Sequence, residues 1–176
     1  MHMKLELLTV LGLALGMIAC GRGDKSVAAE NEGIPNLVLR TEEANKALVR
    51  GDIDRYIALT QHAEDYTLMA PFGGKPTHGF DGSAESRARM ASFFKSGTLD
   101  QEVVATYNSG DLAVLVTIER VQAEIADLPE QNWSLRVTQV FRREDTGWRL
   151  VHRHADPLVN GVTLEEAAAL TRRNSS

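Results

Sequence analysis

Cysteine is almost missing from this chain: one, Cys20, stands among 176 residues. No internal disulfide framework and no multi-cysteine zinc site can be built from it. Basic residues are also scarce, with 19 Lys and Arg against 24 Asp and Glu and a net charge of −5. Without a cationic surplus to neutralise phosphates, the composition argues against nucleic acid as a partner. No apolar run is long enough to cross a bilayer. The stretch from residue 7 to 18 is about twelve residues long, where roughly 20 are needed. No repeat or low-complexity tract follows residue 37. What is present is 43% apolar and 24% charged residues, which exclude wholesale disorder. That is core material for one domain and too little for two.

The N-terminus MHMKLELLTVLGLALGMIAC reads as an export signal. Lys4 supplies the positive n-region and residues 7–18 the apolar h-region. Met17-Ile18-Ala19-Cys20 resembles the bacterial lipobox, in which the cysteine is lipidated and becomes the mature N-terminus. The expectation is a signal peptide over 1–19 and a lipidated Cys20 that anchors an exported protein on the periplasmic side of a bacterial membrane. The alternative is an ordinary signal peptide that leaves a soluble periplasmic or secreted protein. Residues 20–36 are polar and lack periodicity, which predicts a flexible tether.

Helical periodicity begins at Leu37, where Leu37, Ala44, Ala47 and Leu48 form an apolar stripe. Gly51-Asp52 breaks it, and Asp52 caps a second short helix, IDRYIALTQ. Residues 65–72 read as a strand with Pro71 at its end. A Gly/Pro loop follows, then a helix capped by Ser83 and ended by Gly97. From Leu99 the period becomes two. Four strands are predicted, 99–107, 112–125, 133–144 and 148–156, separated by turn sequences. Thr163-Leu-Glu-Glu166 is a capping box that opens a terminal helix. Helices first and a long meander last indicate an α+β domain over 37–160, followed by a short helix and tail over 161–176.

The stretch ALVRGDIDRYIAL resembles the first helical hairpin of the nuclear transport factor 2-like superfamily. VFRREDTGWRLVHRHADP is similar to its final strand pair, above all in SnoaL-like members and in the association domain of calcium/calmodulin-dependent protein kinase II. The resemblance covers roughly residues 37–158. It implies a cone-shaped barrel of curved antiparallel sheet, packed by the N-terminal helices. The superfamily contains isomerases, cyclases, hydrolases and silent binding or assembly domains, so the residues must decide function. A ketosteroid isomerase has a Tyr where Ala44 stands and a basic Asp where Ala70 precedes Pro71. Gln139 and Ala155 replace two arginines of the kinase association pocket. Neither chemistry carries over.

Strict alternation along 148–156 places Trp148, Leu150, His152, His154 and Asp156 on one face. That face begins apolar and ends in a His pair with a carboxylate, the form of a pocket wall with an acid–base end. His152, His154 and Asp156 are therefore the candidate catalytic residues. Packing of the two imidazoles in the core is the alternative. Tyr56, Tyr66, Met69, Phe72, Trp133, Gln139, Phe141 and Trp148 are the candidate pocket lining. His62 stands at the pocket mouth or is exposed. His-x-His also suits a metal, but no further ligand cluster is visible, and no metal or cofactor is expected. Leu115, Val140 and Val151, interleaved with Arg136 and Arg153, are predicted on an outer sheet face that pairs in a homodimer. The expected function is binding of a small, mostly apolar molecule, with acid–base chemistry of the isomerase, cyclase or hydrolase type. The alternative is a non-catalytic dimeric binding or scaffolding module at the cell envelope.

Overall fold

The computed structural model describes residues 32–172. The predicted signal peptide, Cys20 and most of the predicted tether lie outside the described residues. Helix α1 spans Ile34–Arg50, with Pro35 in its first turn. It buries Leu37, Thr41, Ala44, Asn45, Ala47 and Val49, one face of a 3.6-residue period. Gly51 ends it at φ 81°, a left-handed position that costs glycine nothing. A Cβ there would also lie 2.8 Å from the Phe94 carbonyl oxygen. Asp52 then caps α2, Ile53–Leu59, by accepting from the Arg55 N–H at 3.1 Å.

Strand β1, His62–Met69, starts three residues earlier than the sequence predicts, and β2 is the two-residue Thr77–His78 in the Gly/Pro loop. Helix α3, Ala84–Phe93, is capped by Ser83 as predicted. It runs directly into β3, Phe94–Ser109, so Gly97 is a strand residue and not a helix stop. A Cβ on Gly97 would lie 2.4 Å from the Val49 carbonyl oxygen, and the close seat of β3 against α1 requires glycine here. Strands β4, Leu112–Ile125, β5, Leu128–Glu144, and β6, Gly147–Pro157, complete the meander. Helix α4, Leu164–Arg172, follows, opened by the Thr163–Glu166 capping box.

The sheet order is β2-β1-β6-β5-β4-β3. All pairs are antiparallel except β1 with β6. The fold is α+β, and the sheet is open at β2 and β3 instead of closing into a full barrel. One apolar cluster (Leu37, Ala113, Leu115, Phe141, Trp148, Leu150) fills one end of the inner face. A second (Val49, Leu99, Val121, Ala123, Ile125) lies under the other end of α1.

One irregularity decides the site. Phe141 pairs with Leu150, but Val140 pairs with His152, so β6 carries Val151 as an extra residue. A bulge of one residue reverses the facing of everything after it. Trp148 and Leu150 point inward, and beyond the bulge it is Arg153 and Ala155 that do so.

Candidate functional site

Between α1, α3 and the inner sheet face lies a cavity of about 360 Å³. Helix α1 contributes Leu48 and Val49, α3 Met90 and Phe93, and the sheet Leu68, Val121, Trp133 and Leu135. Phe72 stands at the mouth, edge-on to Trp133 at 5.2 Å and to Phe93 at 5.9 Å. These walls are apolar because strand alternation and the helix stripe deliver their apolar faces to one space.

The polar part of the wall is one compact network. Glu119 projects inward from β4 at the parity of Leu115, Thr117 and Val121, and is 2% exposed. Arg153 reaches across β5 to it, with Nη1 donating to Oε1 at 3.0 Å and Nη2 to Oε2 at 2.7 Å. The Asn45 amide donates to the same carboxylate at 2.9 Å. A bidentate fork of this kind is the strongest arrangement a buried carboxylate and guanidinium can form. Burial opposes the Arg153 charge, but the Glu119 charge and hydrogen bonds outweigh it and hold the guanidinium above its ordinary pKa. Three neighbouring polar atoms on this inner face, Gln101 Nε2, Thr117 Oγ1 and Gln139 Oε1, are buried without a hydrogen-bond partner among the described residues.

Beside this network, burial raises the Tyr56 and Tyr66 hydroxyl pKa values, that of Tyr66 to about 12. His62 is packed in an aromatic box. It stacks on Phe80 at 3.8 Å, meets the Tyr66 ring edge at 4.6 Å and shares a 3.2 Å hydrogen bond with the Tyr56 hydroxyl. Burial lowers its pKa to about 4, so it is neutral at neutral pH.

Of the predicted lining, Tyr56, Tyr66, Phe72 and Trp133 do border this cavity. Met69 is exposed at the end of β1. Phe141 and Trp148 are core at the opposite end, and Gln139 is buried on the inner face without bordering the cavity. The three candidate catalytic residues stand outside it. His152 bonds Thr67 through Nδ1 at 2.7 Å, and Asp156 accepts from Arg136 Nε at 2.6 Å. His154 lies beside Asp156 at 3.9 Å, half exposed. The bulge at Val151 is the reason, because it turns all three to the outer face. The predicted outer face changes as well. The bulge brings Arg153 inside, and Leu115 is inside because it pairs with the inward Gln139 in unbroken register, whereas Val140 and Arg136 remain outside with Tyr107, Val114 and Val116. Among the described residues no group of three His, Cys, Asp or Glu is placed to hold a metal ion. Nor is any helix among them long and apolar enough to cross a membrane.

Sequence reasoning passed over Glu119 and Asn45 and placed Arg153 on the outer face. The first two had a visible signal, a polar residue at the inward parity of β4 and one in the apolar stripe of α1. Arg153 had none, because its direction depends on the bulge.

Solved structures share this architecture. A hub domain of calcium/calmodulin-dependent protein kinase II from S. rosetta aligns with TM-score 0.55 and 23% identity, over 72% of this chain and 98% of that one. A nuclear transport factor 2 superfamily protein from Salmonella enterica aligns with TM-score 0.57 and 22% identity, over 73% and 95%. An NTF2-like protein of unknown function in nutrient uptake from Rhodospirillum rubrum aligns with TM-score 0.56 and 20% identity, over 70% and 98%. No curated protein matches by sequence. The SnoaL-like domain family matches residues 40–159, which hold the helical hairpin, the cavity and the whole meander, and the chain belongs to that family.

Proposed function

We propose that this protein binds a small, mostly apolar molecule in the cavity between α1, α3 and the sheet. The observation that carries this reading is a space of about 360 Å³ with apolar walls and one buried ion pair. Binding sites for small molecules have this form, an apolar lining with a few placed polar groups. Acid–base chemistry in this space falls to Glu119, Tyr56 and Tyr66, with Arg153 as a fixed positive charge beside them, rather than to the His pair. The test is the emission of Trp133, which lines the cavity. An apolar probe should change it saturably in the native protein and not in Trp133→Phe. Mass spectrometry of the purified protein should show a retained small molecule. Neither signal appearing would overturn the reading.

The envelope setting is part of the proposal. Export and lipidation at Cys20 put the domain on a tether at a membrane, and a diacyl group plus an N-acyl chain gives stable anchoring where one chain would not. The intact mass of the mature protein should exceed that of residues 20–176, and Cys20→Ser should move it to the soluble fraction.

A second reading is a dimeric scaffold. It is favoured by the outer sheet face, where Tyr107, Val114 and Val140 pair across three strands beside Val116, with Tyr107 exposed. Light scattering at micromolar concentration decides whether this face pairs.

A further inference from the structure

The geometry points to an uncharged head group on the cavity's ligand, a hydroxyl, carbonyl or amide seated against Arg153, Tyr66 and Asn45. This rests on the binding reading above and adds the class of ligand.

The charge of the site comes first. Arg153 and Glu119 neutralise each other within a two-bond fork, so the polar wall is strongly dipolar yet carries no net charge. An ionic ligand would have to leave water for an apolar space that holds no spare counter-charge. Asp81, the other ionisable lining residue beyond the two tyrosines, does not supply one. It is well exposed and lies 3.6 Å from Arg89. An anion would compete with Glu119 for Arg153, and a cation would compete with Arg153 for Glu119.

Hydrogen-bonding capacity comes second. The fork uses one N–H from each terminal nitrogen of Arg153, and Nε bonds nothing among the described residues. The Tyr66 side chain is 4% exposed and borders the cavity, and its hydroxyl has no partner among the described residues. Asn45 spends its amide N–H groups on Glu119 and Gln101, which leaves its oxygen as an acceptor. Donors and an acceptor therefore stand ready at the floor of an apolar space. A purely hydrocarbon ligand would leave them unsatisfied, which costs more than an exposed group would. A neutral amphiphile that enters head-first satisfies them without breaking the fork.

The test uses four probes on one rigid skeleton: phenanthrene, 9-phenanthrenemethanol, phenanthrene-9-carboxylate and phenanthren-9-ylmethylammonium. Affinities are measured by calorimetry on the native protein, Glu119→Gln and Tyr66→Phe. The alcohol should bind at least tenfold tighter than either ion, and several-fold tighter than the hydrocarbon. Tyr66→Phe removes a hydroxyl that no described residue uses, so it should fold normally. It should weaken the alcohol severalfold and leave the hydrocarbon unchanged. Glu119→Gln leaves Arg153 without its counter-charge, and the carboxylate should then overtake the alcohol. If Glu119→Gln fails to fold by circular dichroism, the native ranking and Tyr66→Phe decide the matter. An ion that matches the alcohol in the native protein overturns the inference. So does a hydrocarbon that binds as tightly as the alcohol, and in that case the binding cavity itself stands. Failure of all four probes overturns the cavity reading and the head-group assignment with it.

Discussion

Replacing Arg153 by Met keeps much of the stem's volume and removes the guanidinium. Glu119 is then a carboxylate at 2% exposure, and the Asn45 amide at 2.9 Å is its one strong remaining partner. Breaking a buried ion pair from one side costs about 3–5 kcal/mol, because the surviving charge stays desolvated. Arg153 itself is only 16% exposed, so solvent relieves little of this. At roughly 2–4 °C per kcal/mol for a chain of this size, the melting point should fall by about 6–20 °C. Removing the second charge as well, in Glu119→Gln/Arg153→Met, strands nothing and should recover about 2–4 kcal/mol relative to the sum of the two single changes. Urea unfolding followed by circular dichroism measures all four proteins, with an unchanged m value as the check on two-state behaviour. A loss below about 1 kcal/mol in Arg153→Met, or single changes that simply add, refutes the argument that this pair is buried and mutually dependent.

Three further outcomes follow from the same structure. His62 has a folded pKa of about 4 against an ordinary 6.5, so the unfolded chain takes up its proton first. Stability should therefore fall as pH drops from about 6.5 to 4, by up to about 3 kcal/mol, and His62→Phe should flatten that window in acid melting curves; an unchanged slope would count against a buried neutral imidazole. Gly97→Ala should cost about 1–3 kcal/mol, since its Cβ would press on the Val49 carbonyl oxygen at 2.4 Å and the Ala123 Cβ at 2.8 Å; chemical denaturation without a shift in midpoint would show that β3 yields freely. If the outer face pairs two copies, Val140→Lys should give a monomer by light scattering, whereas an unchanged mass would place the contact elsewhere.

The sequence by itself determined the class of fold and the order of its parts. The α1 stripe, the Gly51-Asp52 break, the Ser83 cap and the switch to period two after Leu99 are local signals, because capping, backbone freedom and side-chain alternation act within a few residues. The same locality made Tyr56, Tyr66, Phe72 and Trp133 legible as cavity lining. The tertiary structure decided which face of β6 meets that cavity. Alternation counted from Trp148 sends the His152–His154 pair inward, and one extra residue at Val151 sends it out and brings Arg153 in. Nothing near Val151 announces the bulge, because it is set by register against β1 and β5, and β1 lies some eighty residues earlier in the chain. The buried Glu119–Arg153 pair likewise exists only after β4, β5 and β6 lie side by side. A parity count on β4 marks Glu119 as an inward carboxylate, but only the folded sheet supplies the partner that lets it stay there.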